Sequence, residues 1–167
     1  MSHAPRALSV AALLCCLALS APALGQQAGV NFGGLKQDTS LPVEVTSDNL
    51  TVDQADGAAV FTGNVLVKQG EMRMTAGTIR VDYAEGGQGI EQLTASGGVT
   101  LASPTDAAEA QEAVYTIATG LVVMTGNVLM TQGAAAISGD KLTVNLTDGT
   151  GTMTGGVKTV FAPGGKP

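Results

Sequence analysis

The 167-residue chain has no tryptophan, two tyrosines, three phenylalanines and a single histidine, His3. So few rings leave little with which to stack bases or sugars. Its two cysteines, Cys15 and Cys16, are adjacent and lie with His3 in the first 25 residues. That segment reads as a secretory signal peptide. Arg6 gives it a positive start, Leu8 to Leu19 an apolar stretch, and Ala21-Pro22-Ala23-Leu24-Gly25 a small-residue cleavage region. The apolar stretch is too short for a stable membrane helix, and Leu14 before Cys15 does not fit a lipoprotein signal. Cleavage after Gly25 or after Ala23 leaves a mature chain with neither His nor Cys. Disulfides, thiolate nucleophiles, imidazole bases and His/Cys metal sites are thereby excluded, and no cofactor or metal is expected.

Positive charge is also scarce. Without Arg6, seven cations face fourteen acids, a net charge of −7. An acidic surface opposes nucleic-acid binding, which takes its affinity from Lys and Arg. Carboxylate pairs such as Asp53/Asp56 and Glu109/Glu112 have no nucleophile, base or phosphate loop to work with, and read as solvated surface acids rather than a catalytic site. No enzyme is expected. Beyond the leader no apolar run is long enough to span a bilayer, so the mature product reads as soluble.

What the chain does have is a phrase repeated four times: Thr62-Gly63-Asn64-Val65, Ser96-Gly97-Gly98-Val99, Thr125-Gly126-Asn127-Val128 and Thr154-Gly155-Gly156-Val157. The first glycines are spaced by 34, 29 and 29 residues. A fixed period of about 30 marks a supersecondary unit stacked on copies of itself. Phe61–Gly70 overlies Met124–Gly133 without a gap, with seven of ten positions identical. Ile79, Val81 and Tyr83 then fall on Leu142, Val144 and Leu146, the period-two spacing of a strand with one buried face.

The organisation follows: 1–25 signal peptide, 26–40 a flexible mature N-terminus able to order against a partner, 41–161 one domain, 162–167 a tail. Within the domain, Val43-Glu44-Val45 and Leu50-Thr51-Val52 alternate as half-buried strands. Ala59 to Gln69 reads as one bent strand or two, broken at Gly63-Asn64, and Met72 to Tyr83 as strand, turn at Ala76-Gly77, strand. Glycine inside a strand marks a bulge or corner, and its recurrence would give a roll its corners. Ala107 to Ala113, rich in Ala, Glu and Gln, reads as a loop. The class is all-β: an antiparallel roll, sandwich or barrel.

The runs Pro42–Asp48, Val60–Gly70, Val122–Val128 and Gly139-Asp140-Lys141-Leu142, over Leu41 to Phe161, resemble the OstA/LptA family of periplasmic lipopolysaccharide-transport proteins. The resemblance implies a single antiparallel β-jellyroll (an OstA-like roll), open at both ends. It implies a periplasmic location and head-to-tail self-association into a bridge with LptC-like inner-membrane and LptD-like outer-membrane rolls. It also implies lipopolysaccharide as cargo, the lipid A acyl chains lying in an apolar groove. This chain's inward set is small and aliphatic, with Met72, Met74, Met124 and Met130 as adaptable side chains.

Val43 and Val45 are the first candidates to line the groove, with Leu101, Tyr115 and Ile117 next, whereas Phe61, Val65 and Val67 read as structural core. A one-residue slip would turn every such residue outward. Lys68, Arg73, Arg80 and Lys141 are candidate headgroup contacts in an otherwise acidic domain. Two other readings share the pattern. One is a structural or filament-forming β-roll without lipid cargo, and the other an LptC- or LptD-like roll of the same pathway. The cleavable leader and the end at Pro167 fit the free periplasmic component better.

Overall fold

The structure, a computed structural model, describes residues 28–31, 33–53 and 57–162. The expected leader, and 163–167 of the expected tail, lie outside the described residues. Among these residues eleven strands form one antiparallel sheet: β1 (Ala28–Asn31), β2 (Glu44–Thr46), β3 (Asn49–Asp53), β4 (Ala58–Gln69), β5 (Met72–Tyr83), β6 (Ile90–Ala102), β7 (Asp106–Thr116), β8 (Leu121–Gln132), β9 (Ala135–Asn145), β10 (Thr150–Thr154) and β11 (Lys158–Phe161). The order is β1-β10-β9-β8-β7-β6-β5-β4-β2, with β3 also on β4 and β11 also on β9. The sheet does not close.

The repeated phrase builds the corners. Gly63, Gly97, Gly126 and Gly155 all have positive φ, as do the residues that follow them, Asn64, Gly98, Asn127 and Gly156. Two successive left-handed residues exclude ordinary side chains, which explains why the second position is Gly or Asn. Asn64 and Asn127 are the only non-glycine residues with positive φ among those described. Two corner residues on β4 or β8 oppose a single residue on the next strand, Gly77 or Asp140, and Gly97-Gly98 on β6 oppose Gln111 in the same way. These are bulges in register. Gly77 and Gly97 also meet backbone to backbone, where a Cβ on Gly77 would lie 3.2 Å from the Gly97 carbonyl oxygen.

The stacked bulges fold the long strands into two leaves. The first leaf holds β2, residues 65–69, 72–76, 99–102, 106–110, 128–132 and 135–139, and β11. The second holds β3, residues 58–62, 78–83, 90–96, 112–116, 121–125 and 141–145, β10 and β1. Their inward side chains, among them Val67, Met74, Leu101 and Met130 of the first leaf and Ile79, Leu93, Val122 and Leu142 of the second, form one core. β4 and β5 are thus single bent strands, with Ala76-Gly77 a bulge site rather than a turn.

Ala107–Ala113 is not a loop but part of β7. The local preference of Ala, Glu and Gln for helix loses to a ladder formed on both sides, with β6 and β8. The described part of the stretch expected as a flexible lead-in lies on the roll itself. β1 pairs with β10, a 3-10 turn spans Gly33–Leu35, and Leu35 is 1% exposed in the core.

Candidate functional site: an apolar groove and the seam that closes it

Opposite the corners the two leaves end in separate rims. Hairpin turns at 70–71 and 103–105 edge the first leaf, and turns at 117–120 and 146–149 edge the second. The space between them is a seam running the length of the roll. Because β1 and β2 stand at opposite ends of the strand order, the chain joining them must travel that length, and it does so through the seam. We call residues 33–42 the strap.

The strap touches both rims. The Gln37 main-chain N–H donates to the Leu146 carbonyl (2.8 Å) at the second-leaf rim. Its side-chain Nε2 donates to Gln69 Oε1 (3.1 Å) on β4 of the first leaf. Gln69, itself 1% exposed, is the hub. Its Nε2 donates to the strap carbonyls of Thr39 (2.8 Å) and Leu41 (2.9 Å). Its Oε1 accepts from Gln37 and from the Tyr115 hydroxyl of the second leaf (2.6 Å). One buried amide therefore ties strap, first leaf and second leaf together. Burial pushes the Tyr115 hydroxyl up to about 12, opposed by the bond to Gln69, so it stays a neutral donor. Asp38 shapes the strap by accepting from the Ser40 N–H (2.9 Å) and hydroxyl (2.6 Å), which hold its carboxyl below the usual range.

Gln69 went unnoticed in the sequence. Its signal is phase: it follows Val65 and Val67 on the inward face, a polar residue in an apolar register. Leu35 and Gln37 carried no such signal, standing in a Gly/Gln-rich stretch without period.

The five proposed groove residues all face the interior. Leu101 and Tyr115 are buried in the core, while Val43, Val45 and Ile117 are half-buried and packed against it. Val45 lies directly opposite Val67. Lining and core are thus one surface. Phe61 is half-buried, and Val65 and Val67 are buried on the same face. Met72, Met74, Met124 and Met130 are buried there too.

Lys68, Arg73 and Arg80 each stand between two buried neighbours in alternating strands, and exposed Lys141 precedes buried Leu142, so all four face outward. Lys68 and Arg73 are cross-strand neighbours beside the 70–71 turn, at the first-leaf rim. Arg80 is bound to Asp82 (2.8 Å) and lies with Lys141 on the second leaf, away from that pair. Glu109 and Glu112 are exposed on the outer face of β7. Among the described residues no group of His, Cys, Asp or Glu could hold a metal ion, and no helix is long and apolar enough to cross a membrane.

At the ends of the roll the apolar face continues into solvent. On β3, Leu50 (55% exposed) and Val52 (61%) lie opposite Phe61 and Ala59, on the inner face. On β11, Phe161 (75%) is two residues from Thr159, the partner of buried Ile137, and so shares the inner face at the other end.

The geometry defines an antiparallel jellyroll whose two leaves close on one apolar core, with apolar side chains exposed at both ends. The profile of the family described as LptA/(LptD N-terminal domain) LPS transport protein matches residues 44–150, and the chain belongs to that family. It is 33% identical over 112 residues to the lipopolysaccharide export system protein LptA of Escherichia coli (strain K12), covering 64% of this chain and 60% of LptA. An uncharacterised protein of Rhizobium meliloti (strain 1021) is 30% identical over 151 residues, 86% of this chain and 81% of that protein. The crystal structure of LptH, the LptA-homologous periplasmic component of the lipopolysaccharide transport device of Pseudomonas aeruginosa, superposes with a TM-score of 0.67. It has 19% identity and covers 75% of this chain and 99% of that one. The jellyroll fold expected from the sequence is the fold observed.

Proposed function

We propose that this protein is a periplasmic lipopolysaccharide carrier that holds lipid A acyl chains against its inner face and stacks head to tail with like rolls into a bridge between membranes. The observation that carries the reading is the single apolar face running from Leu50 and Val52 at one mouth, through the core, to Phe161 at the other. Each methylene moved from water onto such a surface contributes about 0.8 kcal/mol, so acyl chains alone suffice for capture. Val43, Val45, Leu101, Tyr115 and Ile117 are the proposed acyl contacts. Lys68 and Arg73, at the rim where a headgroup would emerge, are the better placed of the proposed headgroup contacts, ahead of Arg80 and Lys141.

The names of the relatives support lipopolysaccharide as cargo and the periplasm as location, the latter reached through the 1–25 leader. β2 and β3 at one end, and β11 and β1 at the other, are the outermost strands among the described residues, and such edges suit pairing with a second copy or with the LptC- and LptD-like rolls. The role is transport rather than catalysis.

A photo-crosslinking residue at Val45, in cells that make lipopolysaccharide, tests the reading. An adduct at Val45 and none at its outward neighbour Glu44 is expected. A folded protein giving no adduct from Val45, Leu101 or Ile117 would leave a structural roll without lipid cargo as the better account.

A further inference from the structure

Resting on that reading, we propose that the strap is a displaceable plug in the acyl-chain doorway of the roll. The seam under residues 34–41 is where a long-chain amphiphile enters, and Leu35 holds the place of its first buried carbons. The walls and the strap are built differently. From β4 to β9 every strand is laddered on both sides, so the leaves cannot part there without breaking rows of main-chain hydrogen bonds. The strap belongs to no ladder. Its main chain donates one hydrogen bond to a rim, from Gln37 to Leu146, and its other ties run through side chains, chiefly Gln69.

The docked strap is also imperfectly satisfied. Gln37 Oε1 and Asp106 Oδ2 are buried without a hydrogen-bond partner. Asp106, 3% exposed, lies hard against Gly34, where a Cβ would collide with its carboxylate and with Thr105 Oγ1. Unpaired buried polar atoms penalise the state that buries them, so the closed state is held less tightly than it would be with those two atoms paired.

Cargo needs the strap to move. The central inward side chains on β5 to β8, among them Met74, Ile79, Leu93, Leu101, Val122 and Met124, have essentially no exposure. The cleft beside the strap, bounded by Leu35, Gln37, Leu41, Met72 and Ser103, measures about 170 Å³, below the roughly 300 Å³ at which ligand pockets begin. An acyl chain of a dozen or so carbons buries far more apolar surface than the one leucine it replaces, so cargo opens the seam by competing for it.

The test locks the strap in place. Gly34→Cys with Thr105→Cys puts two thiols at positions whose side chains would meet, Gly34 has no positive φ to strain, and Asp106→Ala in the same protein removes the carboxylate that a Cβ on Gly34 would otherwise meet. Protein expressed from the full chain is oxidised, the 34–105 link is confirmed by peptide mass spectrometry, and uptake of purified rough lipopolysaccharide is followed before and after reduction. The linked form should take up lipopolysaccharide at least about tenfold more weakly than the reduced form, since its competent fraction falls by that factor. Leu35→Ala, which loosens the plug and leaves the ladders intact, should load faster than wild type. Equal uptake by linked and reduced protein overturns the plug, and so does failure of the link to close under oxidant. Wild-type protein that takes up nothing sinks the transport reading itself.

Discussion

At the scale of single residues the fold turns on polar groups inside an apolar bore. Gln69 uses both amide hydrogens and its oxygen inside the core, so its neighbours are more sensitive than their burial alone suggests. Tyr115→Phe keeps the ring and removes the donor to Gln69 Oε1, which still accepts from Gln37. A loss of about 1 kcal/mol is expected, read as a lower urea midpoint with an unchanged slope. The same hydroxyl gives the alkaline limit of the fold. Its folded pKa lies above the unfolded value of about 10, at about 12. The stability it contributes is therefore complete below pH 10 and is lost as pH rises from about 10 to about 12. Chemical denaturation across that window should show the decline in wild type and a smaller one in Tyr115→Phe.

At the scale of elements, the corner does most to shape the molecule. Gly126 has φ +88°, and a Cβ there would lie 2.8 Å from the Cβ of Gln111 on β7. Gly126→Ala combines left-handed strain with a close contact that only backbone movement relieves. We expect a loss of about 2–3 kcal/mol, with Asn127→Gly near neutral because the second corner position asks only for positive φ. Thermal melts of the two variants check this. The corners were legible in the sequence because a backbone that demands Gly-Asn or Gly-Gly writes its demand into the residues at every turn of the repeat. β7 was less so: nothing local in Ala107–Ala113 overrides helix propensity, and strand is imposed by β6 and β8. The strap was illegible for a topological reason. A lone Leu35 among glycines and glutamines has no periodicity, and the residues that hold the rest of the strap, Asp106 beside Gly34 and Leu146 and Gln69 beside Gln37, lie far off in sequence. Of the candidate site, the inward residues could be read from alternation, whereas the separation of lining from core could not, since Val45 and Val67 share one face.

At the scale of the whole molecule, the roll ends where its ladders stop rather than where its apolar face does. Leu50 and Val52 at one mouth and Phe161 at the other remain largely exposed beside strands that, among the described residues, have no further strand on their outer side. Two different edges at opposite ends make a heterologous contact, which grows a line instead of closing a pair. Sedimentation equilibrium should therefore show a weight-average mass that climbs with concentration and does not level off at a dimer. Leu50→Lys with Val52→Lys places like charges at one mouth and leaves the core untouched, since both side chains are already more than half exposed. The variant should stay monomeric with an unchanged melting temperature. Mixed with wild type it should cap growing chains, because its β11 end remains competent. A wild type that stays monomeric at high concentration, or stops at two, would remove the bridge and leave a carrier that works alone.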